Sequence, residues 1–527
     1  MVGKESKMKN KFIRKWLVIL TVAAMMIPAG IPANAETVEE GENIAPTAGI
    51  SAETPNVTAE TQKEEISAEM PDMTAETQNE EKSDVQAEGQ NQAKQGVLEA
   101  VRQNTEKAEE ASDAVDVQAE ERTAGEVQIG EQIYPTLTEA FAAAKDGDVL
   151  RLLENAEVSQ PILLTKNVTL DTNGFTVSAA AGFKGNFMFT NRGTFNIVGS
   201  GKIDGSVGTY PLIMINNTGG AVLNIQSSEI TGQGVVQNVG GIVNITGGTL
   251  TASARNTVLS QFGEVHIGAS AHLMAAGEGK SAVQLIGAKM TLSGDAVLSG
   301  NGGIDVFNSN RNEEGTVSAQ VEITGGRIET KDFPVSGNNQ ESAGAEVAIT
   351  GGSLKNISGG TAIYWPMEGQ LTIGGNAVIE GGTGIEAKMG TITIKDNAVI
   401  TGSGEWKEEK PQNGGANPEG SAFLGSAQMY DGCINDSSLV VNILGGTLKS
   451  VNGNAVTIYN TEEKSDVRAD ISVTGGSLQP AAGKGAVKVI TSGDNTTRFD
   501  PDKKTLDTMK SNTCLLYTSP SPRDRQK

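Results

Sequence analysis

Few residues in this chain are of types suited to chemistry, and their spacing narrows the field further. His266 and His272 are the only 2 histidines in 527 residues. Each precedes an aliphatic in an alternating stretch, His266 before Ile267 and His272 before Leu273, so period-2 geometry turns both away from a core. A paired metal site is the less favoured reading, and no metal or other cofactor is expected. Asp295 and Asp396 fall one position apart in the same corner of two repeated units, where an acid is usually a turn former. Tyr364-Trp365-Pro366 is the one aromatic cluster on the body that looks like a site. Exposed, the pair Tyr364 and Trp365 would stack on a sugar ring; the competing reading is a loop folded over the body. No catalytic residue stands out.

The elements that must position these residues are repeats. Val243-Asn-Ile245-Thr-Gly247-Gly248-Thr-Leu250 recurs at Val321, Val347, Val441 and Ile471 with its Gly-Gly pair intact. A sister form, such as Leu371-Thr-Ile373-Gly-Gly-Asn-Ala377-Val-Ile379, is one residue longer and returns at Val265, Met290 and Ile392. Both open on strict alternation, which sends the paired aliphatics into a core. The shorter form loses parity between Ile245 and Leu250, so a sharp corner must intervene, and glycine tolerates the φ > 0 that such a corner needs. A further short strand follows in most units, for example Ala282-Val-Gln-Leu, Ala362-Ile-Tyr and Gly384-Ile-Glu-Ala.

Anchors from Leu170 to Val473 define about twelve coils of a solenoid. Propeller blades run to roughly twice this length, and leucine-rich repeats need an Asn or Cys that these units lack. Between Ile394 and Ile443 the spacing widens to 49, so residues 404–420 read as an insertion. The expected fold is all-β: a right-handed parallel β-helix over residues 154–493. Residues 127–153 form its N-terminal cap, with a strand at Val127 and a helix from Thr138 that turns Leu137, Ala140, Phe141 and Ala144 to one side.

What flanks the body sets its compartment. Six basic residues between Lys4 and Lys15, an apolar run from Trp16 to Ile31 and the triplet Ala33-Asn34-Ala35 make residues 1–35 a cleaved secretory signal peptide. Residues 36–126 hold 24 acidic and 6 basic side chains, no aromatic residue and a tandem 16-residue repeat (Ile50 to Glu65, Ile66 to Glu81). Such a segment cannot bury enough apolar surface to offset its ordering entropy, and it reads as a disordered, extended acidic spacer. Residues 494–513 form a truncated extension. Residues 514–527 (Cys514-Leu-Leu-Tyr-Thr-Ser-Pro-Ser-Pro-Arg-Asp and three more) resemble a translated sequencing adapter and are expected to pack on nothing. That leaves Cys433 as a single thiol with no intramolecular partner. The net charge of −23 works against nucleic acid and anionic membrane as partners.

The opening from Val127 to Val177, with Leu137-Thr-Glu-Ala-Phe, Gly147-Asp148 and Asn167-Val-Thr-Leu-Asp171-Thr-Asn-Gly174, resembles pectate-lyase-like β-helix proteins. With its signal and acidic spacer the chain also resembles surface proteins of Gram-positive bacteria. The resemblance implies a three-faced right-handed coil and a secreted or cell-surface setting. It does not fix function, because that fold hosts lyases, hydrolases, binding modules and adhesins. Lyases of this kind use Arg or Lys as base and Ca²⁺ held by clustered acids. Arg-x-Pro-x-x-Arg, Trp-x-Asp-His, Gly-His-Gly and paired Asp residues on consecutive coils are all absent here. The expectation is a non-catalytic, monomeric display or adhesion scaffold with polysaccharide as the candidate partner. A polysaccharide-degrading enzyme is the alternative.

Overall fold

The computed structural model describes residues 125–206, 209–307, 317–337, 344–408, 411, 415–426, 438–460, 469–491, 499–501 and 516–517. The signal peptide, nearly all of the acidic spacer, both cysteines and most of the tail beyond residue 501 lie outside them.

The described chain is a right-handed parallel β-helix, as the repeats predict. Each turn contributes one strand to each of three sheets, for example Glu264–Ile267, then His272–Ala275, then Ser281–Ile286. The sheets contain 16, 13 and 14 strands, so the smallest count gives 13 full coils. Stacking is in register: Val321 lies under Val347 and Leu371, and Ile323 under Ile349 and Ile373. All six are buried, together with Val243 and Ile245. Like residues thus sit over like, and one continuous apolar column fills the coil. Among the described residues no helix is long and apolar enough to cross a membrane.

The corner between the first and second sheets explains the invariant glycine of the repeats. Gly352 has φ +80°, and a Cβ there would come within 2.7 Å of the Gly325 and Gly326 carbonyl oxygens of the coil below. Both the left-handed backbone and the close approach exclude a side chain. The longer repeat form turns at a different point, with Gly375 at φ +55° and Asp396 at φ +57°. Asp396 occupies the left-handed turn position itself, and its carboxylate accepts a hydrogen bond from the Gly375 amide of the coil below at 3.0 Å.

The cap departs from the sequence reading in two respects. Helix α1 (Leu137–Ala143) is capped by the Thr136 hydroxyl, which accepts from Glu139 N, and it buries Leu137, Ala140 and Phe141. Phe141 closes the first coils edge-on against Phe189 and Phe195, with ring centroids 5.9 and 6.0 Å away. Val127–Ile129 pairs with Gln132–Tyr134 as an antiparallel hairpin, whose second strand no strong local signal announces. Val149–Leu152, assigned from sequence to the cap, is already a coil strand, with Leu150 in register with Leu170. It accounts for the coil beyond the expected twelve.

The C-terminal end is also corrected. Phe499–Pro501 adds a strand to the first sheet against Ile471–Val473, past the expected boundary at 493. Leu516 and Tyr517, expected to contact nothing, pair in parallel with Lys488 and Val489. An open sheet edge offers backbone donors and acceptors to any β-prone stretch of chain, whatever that stretch's origin.

One structural device went unread in the sequence. Asn191, Asn217 and Asn238 are fully buried at the corner that leads back to the first sheet. Asn191 Nδ2 donates to Asn217 Oδ1 at 2.8 Å, and Asn217 Nδ2 donates to Asn238 Oδ1 at 2.9 Å. Asn238 Nδ2 then reaches Ser260 Oγ at 3.0 Å. The same amides bond the corner carbonyls, so the ladder satisfies backbone groups that the turn leaves without strand partners. Its signal was an Asn two residues before a turn glycine, at Gly193, Gly219 and Gly240.

Candidate functional site: the covered face of the third sheet

Among the described residues, a cluster of buried ionisable groups lies on the outer face of the third sheet. Alternation along Thr361–Trp365 and Thr383–Ala387 puts Ile363 and Ile385 inside and Tyr364 and Glu386 outside, in register with each other. Lys388 follows Ala387 at the strand end. The chain leaves the coil after Val399–Gly402 and rejoins it at Phe423–Ser426, so the described residues 404–408, 411 and 415–420 belong to an insertion between the second and third sheets, as read from the spacing. Part of it lies over this face. Asn417 N donates to Glu386 Oε2 at 2.8 Å, Lys388 Nζ donates to Gly415 O at 2.7 Å, and Glu419 N donates to Thr383 Oγ1 at 2.9 Å.

The cover buries what it binds. Glu386 and Lys388 have no exposed surface and Glu419 is 2 % exposed. Lys388 Nζ stands 3.8 Å from Glu386 Oε1, an ion pair rather than a hydrogen bond, and 5.1 Å from the Tyr364 ring centroid. Glu419 Oε1 accepts from Ser421 Oγ, which is 2.7 Å from Thr457 Oγ1. Burial pushes the Glu386 carboxyl up to about 7, only partly offset by the Lys388 charge and the Asn417 amide. Burial likewise pushes Glu419 up to about 7 against the pull of Ser421, and the Glu386 charge adds to the rise. Lys388 is held below the usual lysine range by burial.

Near the insertion's start, Trp406 lies across Gly453, where a Cβ would come within 2.4 Å of the ring. Lys484 and Lys488 stand 4.6 and 5.9 Å from the Trp406 centroid, and Lys488 pairs with Glu408 at 2.6 Å.

The sequence-derived candidates fall elsewhere or inward. Trp365 is fully buried in the core, so it offers no face to a sugar ring. Tyr364 is outside but 8 % exposed, stacked on Phe333 at 5.1 Å between centroids. The pair therefore straddles the sheet instead of forming an exposed platform. His266 and His272 do point outward, but onto different sheets. His266 Nδ1 lies 2.9 Å from Thr291 Oγ1, and His272 Nε2 lies 2.9 Å from Ser299 Oγ. Among the described residues no three His, Cys, Asp or Glu side chains converge to hold a metal. Asp305, also on the third sheet, is raised by burial and accepts from Ser281 and Ser336.

No protein-family model matches this chain, and neither does any curated protein or solved structure.

Two carboxyls that titrate near neutrality suit proton transfer. A general acid must also reach its substrate, and the partners of Glu386 and Glu419 among the described residues are protein groups. As placed, they fasten the insertion to the sheet.

Proposed function

We propose that this protein is a non-catalytic extracellular β-helix that displays or binds at a cell surface as a monomer, with polysaccharide as its ligand. The observation that carries the reading is the burial of Glu386 and Lys388 beneath residues 415–420, together with Glu419 of that segment, the one cluster with acid–base character among the described residues. The exposed acids of the repeats that form ion pairs are met by single bases on the strands, as Glu380 is by Lys355 and as Asp204 and Glu229 are by Lys202. Support for the setting comes from the basic-then-apolar start of the chain and from the likeness of residues 127–177 to pectate-lyase-like proteins. The long acidic spacer would hold the body away from its attachment.

A polysaccharide-degrading enzyme remains the second reading, favoured by the neighbouring Glu386 and Glu419 carboxyls. The two differ in what happens to a bound polymer. Mature chain is mixed with insoluble cell-wall and plant polysaccharides, and both pellet and supernatant are assayed. The expected result is retention on at least one polymer with no soluble sugar released. Failure to bind any glycan or any bacterial wall preparation would count against the binding role.

A further inference from the structure

At the corner that returns each coil to the first sheet, one position carries a side chain where its neighbours carry none. In consecutive coils that position is held by Gly219, Gly240, Phe262 and Gly287. They are aligned by backbone bonds: Gly219 N donates to Val239 O, Gly240 N to Gln261 O and Phe262 N to Ile286 O. All four are left-handed, with φ of +71°, +68°, +56° and +56°. Glycine adopts that backbone freely, whereas a bulky side chain is strained in it. Phe262 is also 39 % exposed and stacks on no other ring among the described residues. Stability alone selects neither the strain nor the exposure, and an outlier of this kind points to function.

The surroundings of Phe262 suit a sugar chain. A Cβ at Gly219, Gly220 or Gly240 would meet no atom within 4 Å among the described residues, so the corner beside the ring is an open shelf. The adjoining outer face of the first sheet holds Asn196, Asn224 and Asn244 in register, with Val222 and Ile242 beside them. Asn224 and Asn244 each use one N–H on the neighbouring amide, at 2.7 Å. Each keeps a second N–H and a lone pair for a ligand hydroxyl. None of these residues is charged. The flanking coils add Glu264, 3.6 Å from His266, and Lys289 in register with Glu264. The strip therefore has no excess of positive charge to attract a uronate. We infer that Phe262 is the stacking platform of a binding site for an uncharged polysaccharide, with one sugar ring on Phe262 and the chain lying over the glycine shelf against the Asn196–Asn224–Asn244 ladder. The site rests on the glycan-binding reading above and gives it a place and a ligand class.

Phe262→Gly gives this corner the residue its neighbours have, which separates binding from folding. The purified protein and its variants are titrated onto insoluble neutral polymers (cellulose, chitin and xylan) and onto an insoluble uronic acid polymer, and each is also unfolded in denaturant. Phe262→Gly is expected to match or exceed the parent's denaturation midpoint, because the left-handed strain is gone. Its affinity for the neutral polymer that retains the parent is expected to fall by about tenfold or more. Phe262→Trp keeps an aromatic face and keeps retention. Leu444→Ser removes another exposed apolar side chain, far along the coil stack, and leaves retention unchanged. Equal retention of the parent and Phe262→Gly overturns the site but leaves the binding role standing, whereas a parent retained on no polymer overturns both. Preference of the parent for the uronic acid polymer contradicts the ligand class. A Phe262→Gly midpoint well below the parent's assigns the side chain to the fold and overturns the proposal.

Discussion

Ile349→Asp is expected to destabilise the body by about 4 kcal/mol or more. Ile349 is fully buried, with Ile323 below it and Ile373 above it in register. No polar partner lies inside the coil at that level, so the carboxylate must be buried unpaired, become protonated, or force the two flanking coils apart. Each route costs several times the value of one surface contact. In a stacked solenoid, the loss of one coil also removes the interface on which its neighbours rest. The adjacent position supplies the control. Ala348 faces outward beside Glu322, and Ala348→Lys should stay within about 0.5 kcal/mol of the parent. Chemical denaturation of the three proteins settles the matter. Equal midpoints for Ile349→Asp and the parent would mean that the strand register is wrong.

The buried Asn ladder should be the next most sensitive feature. Asn217→Leu keeps an apolar side chain of similar size but leaves Asn191 Nδ2, Asn238 Oδ1 and the Ala221 and Ile242 carbonyls short of a partner. The expected cost is about 2–4 kcal/mol, because buried polar groups then lie unsatisfied in a low-dielectric corner. A second ladder on the outside provides contrast: Asn224 Nδ2 donates to Asn196, and Asn244 Nδ2 donates to Asn224, both at 2.7 Å. There water replaces a lost partner, so Asn244→Ala should cost about 1 kcal/mol or less. If the two substitutions shift the denaturation midpoint equally, the inner ladder contributes no more than its exposed counterpart.

Most of the fold was legible because a β-helix writes its register into period-2 alternation. Val243-Asn-Ile245 and Leu371-Thr-Ile373 declare which side faces inward, and Gly247-Gly248 marks the corner. The same alternation, carried from Ile363, turns Tyr364 outward and Trp365 inward, which neither the exposed-pair nor the folded-loop reading took into account. The insertion at 404–420 was visible as excess spacing, yet nothing local says which face a polar loop will cover. That choice depends on Glu386 and Lys388, which lie close in sequence to each other and far from Asn417 and Glu419. The hairpin strand Gln132–Tyr134 and the pairing of Leu516–Tyr517 escaped for a related reason. Both rest on edge capture, which depends on available backbone more than on side-chain pattern.

The reading that Glu386 and Glu419 hold a loop, and do no chemistry on a substrate, has one most direct test. Uronic acid polymers with and without Ca²⁺, and a panel of neutral polysaccharides, are incubated with the purified protein from pH 5 to pH 8. Unsaturated products are followed by absorbance and new reducing ends by colour. The expected result is no product above the buffer blank at any pH, for the parent and for Glu386→Gln and Glu419→Gln alike. Product formed by the parent and abolished by either substitution would contradict it, and would make the covered face of the third sheet an active site.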